Sequence, residues 1–516
     1  MKAIEIEIHR HLFASIAEEM GAALMRSAFS PNIKERRDYS CAIFDADGEM
    51  VAQAAHIPVH LGSAPLSVLA AIEAFPALEP GQHVLLNDPY AGGTHLPDLT
   101  LVTPVHDEGG VIRFYVANRA HHADVGGISP GSLPLSRHID DEGIRITPTL
   151  WSEELMARVL DASRTPEERR GDLLAQIAAN HRGQQRLGAL LARRPESLLE
   201  AASALQDYAE RRIRALIASL PDGTWSFEDA IEDDGHGHTE LFIRCQMTIA
   251  GEQLTFDLRD AHPQVEGPVN VPRAVTLSAA LYVVQCLAPS DIPSNGGVMR
   301  PLEVLTSPGT LVDAVYPAAV AAGNVETSQR ITDVLIGALS KAVPNLAPAA
   351  SAGTMNNLLV GGQDTRGVVA KPFAYYETIG GGSGASDGHH GASAIQTHMT
   401  NTLNTPIEAL EHAYPMTMVR YRVRRGSGGA GKWRGGDGVE RGYRADVPMT
   451  VTLMTERRAT RPYGLAGGED GAAGENVLLR ENHSEVALPA KHTLELEVGD
   501  TVLLRTPGGG GFGAPE

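Results

Sequence analysis

Histidine and aspartate concentrate in two short stretches of this chain. The first is Asn87-Asp88-Pro89-Tyr90-Ala91-Gly92-Gly93-Thr94-His95-Leu96-Pro97-Asp98. The second is Asn118-Arg119-Ala120-His121-His122-Ala123-Asp124-Val125-Gly126-Gly127. Imidazole nitrogen and carboxylate oxygen together suit Mn²⁺, Zn²⁺ or Fe²⁺ better than Ca²⁺ or a soft metal. His95 and Asp98 are spaced to reach one ion from a loop with a proline between them. A single pair of this kind reads more simply as a capping aspartate and a buried histidine. Two clusters flanked by Gly-Gly favour a metal site. Asp38, in Arg37-Asp38-Tyr39-Ser40-Cys41, is a candidate for a further carboxylate. His56 and His60 have helical spacing, but Pro58 between them disfavours a regular helix, so they line or support a pocket. Asp233, Asp234, His236 and His238 fall in a hairpin turn and read as a solvated polar loop.

Three glycine-rich stretches imitate known motifs. Gly426-Ser427-Gly428-Gly429-Ala430-Gly431-Lys432-Trp433 matches most of a P-loop, yet Trp433 stands where a hydroxyl must meet Mg²⁺, and no helix-forming sequence follows. Gly508–Gly513 fits G-x-G-x-x-G but has almost no chain after it. The expectation for both is tight turns with positive φ. Gly384-Ala385-Ser386-Asp387-Gly388 fits G-x-S-x-G after the strand-like Phe373–Ile379. The glycines around it argue against an elbow helix and for a backbone-rich loop near a ligand.

These residues need elements to hold them. Leu12, Ile16, Met20 and Leu24 recur as one stripe of a helix over residues 4–30, with Pro31 as its stop. Tyr39–Phe44 reads as a strand followed by a turn at residues 45–48. Residues 82–86, 99–105 and 112–117 read as further strands, so both His/Asp clusters lie where strands meet loops. Residues 152–220 are helical. Two strands follow across Ala250-Gly251, with helices at 274–288 and 326–343. From about residue 415 the alternation is that of a β sandwich or barrel. The expected fold is mixed α/β and multidomain: 1–220 an N-terminal α/β region with the His/Asp loops, 221–414 a central α+β region with the glycine loop, 415–516 a β-rich domain.

The 516 residues are 43% apolar, enough for a sizeable core. Lys and Arg number 43 against 63 Asp and Glu, a net charge of −20, which is unsuited to coating nucleic acid or anionic membrane. Three scattered cysteines, Cys41, Cys245 and Cys286, form no disulfide framework and suggest a reducing, cytoplasmic setting. The charged N-terminus does not resemble a secretory signal, and no apolar run is long enough to span a bilayer.

NDPYAGGTHLPDLTL, ANRAHHADVGG, NVETSQRITDVL, GTMNNLLVGG, YYETIGGGSGAS and TPGGGGFG, in that order, resemble the hydantoinase B / 5-oxoprolinase family along essentially the whole chain. The resemblance implies the metal-containing B-type component of an ATP-dependent cyclic amidohydrolase, one that opens hydantoin, N-methylhydantoin, 5-oxoproline or lactam rings. It implies a hetero-oligomer in which ATP is held by an A-type subunit. The ligands it implies for Mn, Zn or Fe are Asp38, His95, Asp98 and one histidine of the pair His121 and His122. Asp124 would be a catalytic base or orient a ligand. The glycine loop at 380–391 would offer N–H groups to an oxyanion or phosphate. A ketone carboxylase subunit, a non-catalytic scaffold and a serine hydrolase using Ser386 are the competing readings.

Overall fold

The N-terminal apolar stripe builds helix α1 (Ala3–Ser27), which buries Phe13, Ile16, Met20 and Leu24. Pro31 does not stop it. It opens a short helix, α2 (Pro31–Lys34), at the position where a missing N–H costs nothing. The computed structural model describes residues 3–54, 57–60, 62–482 and 484–515.

Six strands then form one sheet: β1 (Tyr39–Asp45), β2 (Met50–Gln53), β3 (Val84–Leu86), β4 (Asp98–His106), β5 (Ile112–His121) and β6 (Thr149–Leu150). Their order is β2-β1-β5-β4-β3-β6, and every neighbouring pair is antiparallel. Both faces are covered. Ile43 and Val116 pack with α1, α5 (Pro166–Leu191) and α6 (Pro195–Ala218). Ala42 and Phe44, one residue to either side of Ile43, face α3 (Ser63–Ala74) through Val68 and Ala71, as the two-residue period of a strand requires. A further helix, α4 (Glu153–Ala162), precedes α5. Helix α5 is clamped to the sheet by polar side chains: Gln176 and Asn180 donate to the carbonyls of Leu99 and Leu101, both at 2.9 Å.

The central region carries a second sheet of β7 (Gly223–Asp233), β8 (Thr239–Ala250), β9 (Gln253–Asp257) and β10 (Leu302–Leu305), in which only the β9–β10 pair is parallel. Helices α7 (Arg273–Leu287) and α8 (Ser328–Ala342) complete it. In the β7–β8 turn, buried Asp234 accepts hydrogen bonds from the N–H groups of His236 and His238, so this acidic-histidine cluster is a turn clamp.

Two antiparallel sheets end the chain. One is formed by β11 (Asn357–Asp364), β12 (Lys371–Glu377), β15 (Met449–Met454) and β18 (Lys491–Leu496). The other holds β13 (Met416–Arg424), β14 (Gly438–Ala445), β16 (Glu475–Leu479), β17 (Glu485–Leu488) and β19 (Thr501–Arg505). They close on a shared core that includes Leu358, Tyr375, Val451, Tyr443, Leu478 and Leu504, a sandwich. The largest apolar cluster runs from Ile57 and Ile213 through Met247 and Leu335 to Met399 and Met454, so one core crosses residues 220 and 414. Among the described residues no helix is long and apolar enough to cross a membrane.

The glycine stretches pack against one another beside the sandwich. Gly382 N–H donates to Pro507, Gly436 N–H to Ser383, and Gly509 N–H to Gly436. A Cβ on Gly382 would overlap the Gly436 carbonyl oxygen, and one on Gly509 the Ser383 carbonyl oxygen. Of the 426–431 and 508–513 stretches only Gly426 and Gly513 have positive φ. Close backbone approach, rather than the expected turn conformation, therefore selects most of these glycines. Ser386 pairs with His389 in a two-residue bridge, so no elbow helix follows it. The N–H groups of Gly381, Gly382, Ala385 and Gly391 are spent on carbonyls and cannot face an oxyanion.

Candidate metal centre

The ladder of the first sheet explains how two distant clusters meet. Asp98 opens β4, His121 closes β5, and the two are direct cross-strand partners. Side chains of such a pair stand on the same face about 5 Å apart at Cβ. A tight turn with Asp98 N–H donating to the His95 carbonyl (3.1 Å) folds His95 onto Asp98. On the other side of β5, the His121 N–H donates to the Asp38 carbonyl at 3.0 Å and brings Asp38 to the same sheet end.

His95 Nε2, Asp98 Oδ1 and His121 Nδ1 form a buried triangle with edges of 3.2, 3.1 and 3.3 Å. Donors at ~2.0–2.1 Å from one ion in tetrahedral array are about 3.3 Å apart. The hydrogen accounting supports a cation. His95 Nδ1–H donates to the Ala321 carbonyl (3.3 Å), an acceptor only, so Nε2 is left facing the Asp98 carboxylate oxygen, and the Asn324 amide nitrogen lies 3.1 Å from the same Nε2. In neutral His95 this sets acceptor against acceptor, which a proton or a metal ion between them resolves. Buried His121 Nε2 and Asn324 Oδ1 have no hydrogen-bond partner. Burial pushes the His95 pKa down, but the charge and hydrogen bond of Asp98 outweigh it and raise it. Burial would raise Asp98, yet the charge of His95 and the hydrogen bonds of His121 and His60 hold it well below the usual carboxylate range. His121 is lowered, chiefly by burial.

The surrounding cavity has room for one water-sized occupant, about 20 Å³. Asp38 lines it, its carboxylate 3.8 Å from Arg36 Nη2. So does His60, with Nε2 3.4 Å from Asp98 Oδ2 and Nδ1 2.8 Å from the Ser40 hydroxyl. His56 lies outside the described residues. His122, one residue past His121, points the other way, with Nε2 3.0 Å from Gln176 Oε1 of α5. Burial, reinforced by the Arg169 charge, pushes it down to about 4. Asp124 stands apart from the cluster. Its two oxygens accept from the Gly126, Gly131 and Arg164 N–H groups and the Arg164 guanidinium, clamping the loop. Two neighbours escape sequence reasoning. Asn324 sits in a π-helical turn, Gly323–Thr327, and the Tyr376 ring of β12 stacks on His121 with centroids 4.6 Å apart. Each lies in a stretch that carries the family resemblance, but no spacing links either to His95.

The model of the Hydantoinase B/oxoprolinase family matches residues 2–515. The chain is 39% identical to the 5-oxoprolinase of Dictyostelium discoideum over 99% of its own length and 40% of that protein, so it spans about two fifths of that relative. It is 30% identical to a Pseudomonas sp. protein assigned as the B-type component of a D-/L-hydantoinase, covering 99% of this chain and 90% of that one. The crystal structure of the ATP-dependent caprolactamase from Pseudomonas jessenii superposes with a TM-score of 0.92 at 27% identity, over 100% of this chain and 91% of that one. Acetone carboxylase shares the fold at 18% identity and a TM-score of 0.88, over 99% of this chain and 76% of that one. A match from end to end, on relatives and structures alike, places this chain in the hydantoinase B/oxoprolinase family.

Proposed function

We propose that the chain is the metal-containing B-type component of an ATP-dependent cyclic amidohydrolase. The observation that carries the reading is the buried His95–Asp98–His121 triangle in a chain similar throughout to 5-oxoprolinases and to a caprolactamase. The reaction is ring amide + ATP + 2 H₂O → ring-opened amino acid + ADP + phosphate. ATP drives it because an unstrained amide is stabilised by donation of its nitrogen lone pair into the carbonyl.

His95, Asp98 and His121 would hold the ion, with Asp38 lining the same cavity. A divalent ion there supplies Lewis acidity toward the ring carbonyl or toward water. The chain's own groups do the rest. The Ala321 carbonyl fixes the His95 tautomer, as an outer-shell partner should. Ser40 orients His60, whose Nε2 holds a proton beside Asp98 for the departing ring nitrogen. Ile57, Val59, Met355 and Met399 wall out bulk water.

ATP belongs on an A-type partner in this reading. The glycines that imitate a P-loop spend N–H groups within the fold: Gly429 donates to the Gly509 carbonyl and Gly428 to the Asp437 carboxylate. The longer relatives would carry the ATP-binding part in the remainder of their chains. The test is ring opening of 5-oxoproline or hydantoin by purified chain with Mn²⁺ or Zn²⁺, with and without an A-type partner and ATP. Opening should require both. Sustained opening without ATP, or tight ATP binding by this chain alone in calorimetry, would overturn the division of labour.

A further inference from the structure

The inner cavity, at about 20 Å³, is too small for a cyclic amide ring. The ring must first be held somewhere else. A surface pocket of about 430 Å³, within the usual range for small-molecule sites, is lined by Glu18 and Met25 of α1 and by Arg37, Tyr39, Asn401 and Leu403. It borders the inner cavity along two chain segments. Arg37 and Tyr39 line the pocket and Asp38 between them lines the cavity. Asn401 and Leu403 line the pocket, Met399 and Thr400 the cavity. No lining residue of the larger grooves, at Ser226–Lys341 and Leu66–Tyr316, is next in sequence to one that lines the cavity.

Arg37 is the pocket's cation. It is exposed, and among the described residues no ion pair or hydrogen bond occupies its guanidinium. Its backbone lies in the left-handed region, φ 58°, which a long side chain adopts only when its surroundings impose it. They do: Asp38 N–H is held by the Asn32 carbonyl (2.9 Å), Tyr39 N–H by the Arg37 carbonyl (3.0 Å), and the Arg36 carbonyl by the Leu403 N–H (3.0 Å). The wall between pocket and cavity is thereby stitched on both sides of Arg37.

Resting on the function proposed above, we infer that this pocket is the substrate vestibule of the metal site and that Arg37 binds an anionic group of the ring-bearing substrate, a carboxylate or the phosphate added on activation. The ring lies against Met25, Tyr39 and Leu403. A guanidinium suits either anion, because its fork of N–H donors matches two oxygens at once.

The experiment is a ligand-observed NMR titration of the full chain, which needs neither ATP nor partner. The probes are 5-oxoproline, 2-pyrrolidinone (the same ring without the carboxylate) and inorganic phosphate. The variants are Arg37→Asn, which tolerates the left-handed backbone without the charge, and Arg37→Lys, which keeps the charge. We expect 5-oxoproline or phosphate to bind wild type and to weaken about tenfold in Arg37→Asn, with partial recovery in Arg37→Lys and no change for 2-pyrrolidinone. Dependence of 5-oxoproline on Arg37 assigns the carboxylate, and dependence of phosphate assigns the activated group. Anion binding that ignores Arg37, or no binding of either anion at 10 mM (about 100-fold above a 0.1 mM site), overturns the vestibule. Failure of ATP-dependent ring opening with Arg37-dependent binding intact would instead fault the proposed function alone.

Discussion

His121 and His122 are adjacent, alike and both buried, so replacing each by alanine separates the metal reading from a merely structural one. His121 Nδ1 is one of three donors within 3.3 Å of each other. Outer-shell partners of a metal typically contribute 10–100-fold to affinity, so losing a donor outright should weaken binding by at least about 100-fold. His121→Ala should purify with little metal. His122 meets Gln176 instead, and its removal leaves a buried amide oxygen short of a partner. That omission costs about 1–3 kcal/mol, and the emptied imidazole volume adds to it. Its unpartnered Nδ1 and the nearby Arg169 charge already make the histidine costly to bury, so the net loss belongs near the low end, about 2 kcal/mol. His122→Ala should therefore melt earlier and keep its metal. Elemental analysis after gel filtration, with a thermal melt of the same sample, reads both quantities. A metal-free His122→Ala beside a metal-replete His121→Ala would refute the geometry argued from strand alternation.

Three further substitutions probe the frame around the site. Gly436→Ala places a methyl group on the Ala392 carbonyl, a rigid backbone atom, and should cost more than about 3 kcal/mol, whereas Gly388→Ala, with φ +86° and open space around it, should cost about 1–2 kcal/mol. Equal melting temperatures would show that close approach is not what selects glycine. Glu142 is raised by burial to about 7, although Val320 and Ala321 N–H groups and the Ser136 hydroxyl donate to it. A folded pKa above the unfolded ~4.5 means that the native state holds the extra proton, so stability falls as pH rises from about 4.5 to 7. Glu142→Gln, which keeps the acceptor oxygen, should gain on wild type at pH 8 and lose that advantage by pH 5. A constant difference in melting temperature across that range would rule the burial argument out.

Much of this is legible in the sequence because the signals are local. The helices of 152–220, the hairpin around Ala250-Gly251 and the strands flanking the His/Asp loops follow from hydrophobic period and turn residues, which need no tertiary knowledge. His95 and Asp98 are readable for the same reason, since a short turn joins them. The choice between His121 and His122 is not, because it depends on which face of the sheet each side chain takes once β5 is paired with β1 and β4, a matter of register. Tyr376 and Asn324 reach the site from elements hundreds of residues away in sequence, and no periodicity encodes that approach. The glycines read as turns because turn chemistry is a local rule, whereas their packing against other glycines is a tertiary one.

The donors and their enclosure have different origins in the chain. Asp98 and His121 meet through one antiparallel hairpin, β4–β5, and His95 adjoins it, so the ligand set arises from contacts of short sequence separation. The walls do not. Val325 lies within the π-helical turn, Met355 precedes β11, Tyr376 and Thr378 lie at the end of β12, and Met399 and Thr400 lie beyond the glycine loop. Without those segments Asp98 and His121 would face water at an open end of the sheet. Each donor would then be solvated, and their mutual repulsion of lone pairs would be relieved by hydration rather than by a cation. The long chain is therefore needed for the dielectric of the site rather than for its ligands. In a low-dielectric cavity three converging ligand atoms would favour a cation, and on the function proposed above its charge would act undiluted on a carbonyl brought beside it.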